Sequence, residues 1–165
     1  MPRANVLAIT RIHSPFFPLK TIHFHEAGFT LSPAARGLLA MWGLFLVAGF
    51  SLAFSLEPDP RGFGTHQSLG FPPCTFRTLV GIPCPSCGMT TSFAHFVRGE
   101  ILPAARASAS GLLIALVCAA QLPWIALSVV RGRLVGVRRP DRVALAVVLP
   151  IGLACLAEWL FRVLW

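Results

Sequence analysis

Gly37-Leu38-Leu39-Ala40-Met41-Trp42-Gly43-Leu44-Phe45-Leu46-Val47-Ala48-Gly49-Phe50-Ser51-Leu52-Ala53-Phe54-Ser55-Leu56 carries no charge between Arg36 and Glu57. At about 1.5 Å per residue, a helix of that length crosses a hydrocarbon core of about 30 Å. A first membrane span is therefore expected over about 34–56. Glu57-Pro58-Asp59-Pro60 ends it, because proline lacks an N–H and disfavours helix in the residue before it.

Two more stretches read the same way. One runs over about 109–130 with no charge, and Pro123 inside it predicts a kink. The other runs over about 143–165, where Pro150 predicts a second kink and Trp159 and Trp165 suit an interface belt. The expected fold is all-α: an integral membrane protein with about three transmembrane helices and a cysteine-containing loop with short interfacial helices. The division is a cytoplasmic N-terminal tail over 1–33 and a membrane domain over 34–165, with the motif loop at 57–108.

Composition agrees. Of 165 residues, 55% are hydrophobic and 12% charged, whereas a soluble domain carries about 25% charged residues. The net charge of +8 comes from arginines that mostly flank the apolar runs, where they orient the protein and touch anionic headgroups. No nucleic-acid-binding motif accompanies the charge, so nucleic acid is not an expected partner. The lipid bilayer is. Residues 1–33 lack the layout of a secretory leader and read as a loose tail, with Phe16 and Phe17 between Pro15 and Pro18 suited to the membrane interface.

Loop 131–142 holds Arg131, Arg133, Arg138, Arg139 and Arg142 against one acid, Asp141. That excess predicts a cytoplasmic loop. With three spans, the N-terminus shares its side (Arg3, Arg11, Lys20 and Arg36 agree), and loop 57–108 lies outside the cell (inner) membrane. Arg61, Arg77, Arg98 and Arg106 in the outer loop run against the trend.

The outer loop carries Cys74 and the turn Cys84-Pro85-Ser86-Cys87-Gly88-Met89-Thr90. Three readings stay open. Two thiolates at this spacing grip a tetrahedral ion, so zinc or another soft metal is one cofactor to consider, with Cys84, Cys87, Cys74 and His95 as ligands. A C-x-x-C at a helix start lowers the first thiol's pKa, which suits redox work. A structural disulfide, or a tight turn set by Pro83 and Pro85 and relieved by Gly88, needs no chemistry at all. The helix is expected over Gly88 to about Val97, with Phe93, Phe96 and Val97 on one face, and a second short piece after Pro103. Cys84 and Cys87 should sit at the first helix's N-terminus. The loop should return to the outer end of the bundle, where that Phe face finds an apolar partner. Thr90, Thr91 and Ser92 are expected to bond free backbone groups at the start of that helix.

From Gly81 to Glu100 the text resembles the bacterial domain-of-unknown-function 2752 family, whose pattern is G-x-P-C-P-x-C-G-x-T-R, then G-[DE], then an apolar segment. Cys74 fits an upstream cysteine of that pattern, and Thr91 departs from its arginine. The resemblance covers about residues 70–125. It implies a small bacterial membrane protein and supplies no activity.

Elsewhere, Glu158 and Arg162 stand at i and i+4 in the third span and can pair there. Packing or anchoring is the expected role of this intramembrane ion pair. Cys118 and Cys155 read as packing residues, and His23 and His25 as solvated tail residues. No carboxylate pair, phosphate loop or Ser-His-Asp set marks an enzyme. Two functions follow: a structural or interaction role in the membrane, packing against another membrane protein or a second copy, or a thiol- or metal-dependent role using the Cys84–Cys87 motif.

Overall fold

A computed structural model describes residues 29–164. The tail residues Arg3, Arg11, Phe16, Phe17, Lys20, His23 and His25, and Trp165 at the other end, lie outside the described residues.

Three long helices carry the fold: α1 (Pro33–Ser55), α5 (Ala109–Arg131) and α6 (Pro140–Leu164). Each is long and apolar enough to cross a membrane. Between α1 and α5 lie a 3₁₀ turn (Thr65–Leu69) and three short helices, α2 (Thr75–Val80), α3 (Met89–Phe96) and α4 (Ile101–Ala107). Strand β1 (Phe29–Thr30) pairs antiparallel with β2 (Arg133–Leu134). The fold is thus an all-α membrane protein in contact with lipid.

Local chemistry sets the helix ends. Ser32 caps α1 by accepting from the Ala35 amide at 3.2 Å, with Pro33 following. Ser108 caps α5 through the Gly111 amide at 3.1 Å. Helix α6 begins at Pro140, three residues before the expected start. Proline at the first helical position and Asp141 in the first turn both favour an N-terminus there. Pro103 likewise lies inside α4 rather than ahead of it. Within a first turn, proline's missing N–H costs nothing. Helices α5 and α6 run unbroken through Pro123 and Pro150.

Packing is that of a membrane protein. Most large apolar side chains on the spans face outward, among them Leu38, Phe45, Leu145 and Phe161. Among the described residues, the buried set includes Leu46, Leu56, Ile125 and Leu134 but is mostly small side chains, such as Ala94, Ala104, Ala115, Thr91, Ser92 and Ser128. In lipid the driving force is close approach and hydrogen bonding, not removal of apolar surface from water. Gly43 lets Ile125 approach, with 3.1 Å to where a Cβ would stand. Near the middle of both spans, Trp42 Nε1 donates to Gln121 Oε1 at 3.0 Å, tying α1 to α5.

The ends sort onto two sides. At one, the Leu31 amide donates to the Gly132 carbonyl at 3.0 Å, joining the start of α1 to the end of α5. Trp124 Nε1 bonds the Val135 carbonyl at 2.9 Å and holds the following loop against α5. At the other side lie the end of α1, the start of α5, the end of α6 and all the short helices. There Phe50 of α1 stacks against Phe93 of α3, with Phe96 beside it.

Candidate functional site

The motif forms a turn. The Cys87 amide donates to the Cys84 carbonyl at 3.0 Å and the Met89 amide to the Ser86 carbonyl at 3.2 Å. Gly88 then caps α3 with φ of 87°, so Cys84 and Cys87 stand directly before that helix. Gly88 is required twice over. Its φ lies in the left-handed region, and a Cβ would meet the Ala107 carbonyl oxygen at 2.4 Å and that of Gly62 at 2.8 Å.

The turn is held from outside the loop by the last turns of α6. Trp159 Nε1 donates to the Pro83 carbonyl at 2.8 Å. Arg162 donates to the Cys87 carbonyl at 2.9 Å and the Ala107 carbonyl at 2.7 Å, and it pairs with Glu158. Glu158 accepts from the Ala109 and Ser110 amides at 3.1 and 2.7 Å, so its carboxylate sits on the N-terminus of α5. Charge sign explains both: a carboxylate suits exposed helix amides, and a guanidinium suits free carbonyls. The pair read in the sequence is thus also a clamp joining α6 to α4, α5 and the motif.

Two hydroxyl contacts seat α3. Thr91 meets Thr65 at 2.8 Å, and Thr65 Oγ1 also accepts from the Asp59 amide at 3.0 Å. Ser92 donates to the Ser108 carbonyl at 3.1 Å. The expectation that these side chains cap their own helix start is corrected for Thr91 and Ser92. Both point across to neighbouring elements, because Gly88 makes the cap and the turn after it faces the packed interior.

Cys74, Cys84 and Cys87 line one cavity of about 750 Å³. Leu52 and Ala53 of α1, with Leu56 just after it, form its apolar floor, and Arg61, His66, Arg77 and Thr90 stand among the polar lining residues. All five cysteines are free. Cys74 precedes α2; the Arg77 amide, then the Cys84 side chain, lower its thiol pKa. Burial pushes the Cys87 thiol up, against the pull of Arg77. The Arg77 guanidinium lies 3.9 Å from Cys87 Sγ and 3.8 Å from the centre of the Phe63 ring. Cys84 Sγ lies 3.5 Å from Ser86 Oγ.

His95 does not line this cavity. Its Nδ1 meets Glu100 Oε2 at 2.5 Å, and among the described residues no group of three or more His, Cys, Asp or Glu side chains is gathered to hold a metal ion. Sequence reasoning missed Arg77, His66 and Phe63. Arg77 alone left a signal, three residues after Cys74 and so one helical turn along.

Neither the curated proteins nor the solved structures contain a match to the chain. Residues 74–122, the segment that opens on Cys74 and carries the motif turn into α5, match the model of the family described as protein of unknown function, DUF2752.

Proposed function

We propose that this membrane protein is a dithiol protein, with Cys74 and Cys84 as its exchanging pair and Cys87 beside them. The observation that carries the reading is that three free thiols line one cavity, where the Arg77 amide and then the neighbouring Cys84 side chain lower the Cys74 thiol pKa. A thiolate is the nucleophile of disulfide exchange. In the step, the Cys74 thiolate attacks a disulfide of a partner and releases one partner thiolate. Cys84 then attacks the Cys74 sulfur and releases the second. The two protons of the dithiol end on the partner, which is reduced as Cys74 and Cys84 are oxidised.

The motif faces the outer side in this reading, with the N-terminus and loop 131–142 cytoplasmic. The arginines support it. On the motif side Arg61 pairs with Asp59, Arg98 bonds the Phe54 carbonyl at 2.8 Å and the Ala94 carbonyl at 2.7 Å, and Arg162 is clamped. By number, five arginines against one acid in 131–142 favour that side as cytoplasmic.

Treatment of intact membranes with oxidised glutathione, followed by mass-tagged maleimide, tests the proposal. Cys74 and Cys84 are expected to lose labelling together and to regain it with reductant, whereas Cys84→Ser should trap Cys74 as a mixed disulfide carrying one glutathione, read by intact mass. A stoichiometric zinc content lost in Cys84→Ser would favour a soft-metal site on the three thiols instead. Unchanged labelling without metal would leave the motif as a packing turn.

A further inference from the structure

The same cavity has a feature that thiol exchange does not use. Its floor is part of a membrane span and its rim is cationic. Leu52 lines the cavity yet is 48% exposed along α1, and a Cβ on neighbouring Gly49 would meet nothing within 4 Å. The cavity therefore opens sideways at the depth of the last turns of α1, where acyl chains lie. No acidic residue lines it among the described residues. Arg61 is matched by Asp59, whose carboxyl that guanidinium holds down at about 2. Arg77 differs, since its partners are the Phe63 ring and the Cys87 sulfur, with no carboxylate among the described residues.

We infer that the cavity binds an amphiphile with an anionic headgroup, its head on Arg77 and its chain along Leu52 and Leu56. A guanidinium forms charge-assisted bonds to phosphate or carboxylate oxygens. A cavity that is apolar at lipid depth with one cation at its rim selects that class over zwitterionic or wholly apolar molecules. Binding needs no thiol chemistry, so failure of disulfide exchange leaves this inference standing.

Native mass spectrometry of the full-length protein, released from detergent containing equal phosphatidylglycerol and phosphatidylcholine, tests it. One phosphatidylglycerol is expected to be retained in preference to phosphatidylcholine. Arg77→Gln should weaken retention about tenfold, Arg77→Lys should restore part of it, and Arg106→Gln, outside the cavity, should change nothing. Leu52→Trp should block the chain while leaving Arg77 in place. Oleate in competition distinguishes the sources: displacement of the phospholipid marks a free carboxylate amphiphile, and its persistence marks a lipid headgroup. Equal retention of the two phospholipids, equal retention by Arg77→Gln, or displacement by inorganic phosphate alone would overturn the inference.

Discussion

At the residue scale, two positions show how local geometry governs the site. Gly88 stands where two carbonyl oxygens leave no room for a side chain. Gly88→Ala combines a strained φ with that overlap, and a loss of about 3 kcal/mol or more is expected. Thermal unfolding in detergent reads it, and an unchanged midpoint would mean that the turn can rearrange. Cys74 and Cys87 lie on one cavity but differ in thiol acidity. Because the Arg77 amide lowers Cys74 and burial raises Cys87, Cys74 holds more thiolate at any pH below both pKa values. Iodoacetamide should modify Cys74 first between about pH 6 and 8, with Cys87 catching up only as pH rises. Peptide mapping gives the order, and faster labelling of Cys87 at low pH would contradict it. Little of this was legible in the text of the motif. The C-P-S-C turn and its glycine can be read there, but the Ala107 carbonyl that forbids a Cβ comes from another helix.

At the scale of elements, the decisive feature is the end of α6. Along its length α6 has no buried residue, yet its last turns make charged bonds to the motif, α4 and α5. Arg162→Gln should remove about 2 kcal/mol, the order of a charged hydrogen bond to buried carbonyls, and should loosen the Cys84–Cys87 turn. Faster exchange of the Cys87 and Met89 amides in hydrogen–deuterium measurements would report that loosening. Changes confined to α6 would separate the clamp from the motif. The i, i+4 spacing of Glu158 and Arg162 made the pair legible, whereas their bonds to helix ends more than 45 residues away were not. Arg98 teaches the same lesson: in sequence it is one more loop cation, and in space it covers the carbonyl end of α1.

At the scale of the whole molecule, one polar bond crosses the apolar middle. Gln121→Leu strands the Trp42 indole N–H in lipid. A loss of about 1 kcal/mol is expected, read as a lower resistance to unfolding in sodium dodecyl sulfate, and Trp42→Phe with Gln121→Leu should recover part of it. Recovery of nothing would mean that the ring packs for reasons other than its hydrogen bond. The two-sided sorting of helix ends also yields a topological expectation. Membrane-impermeant maleimide should reach Cys74 from outside intact cells, while a cysteine placed at Arg138 should be protected. The reverse pattern would invert the orientation.

Three long apolar runs were enough to establish, from the chain alone, a helical membrane protein with three of its five cysteines between the first two spans. The reason is that lipid cannot satisfy free backbone groups, so long apolar segments have only the helix available. Which groups meet at the motif was decided by tertiary structure. Arg77 at Cys87, Glu158 on α5, Arg162 on the Cys87 carbonyl and the floor supplied by Leu52 and Leu56 all join residues on different elements. Hydropathy is a property of each segment by itself, whereas those contacts depend on how the short helices pack, which small buried side chains such as Ala94, Thr91 and Ser92 allow.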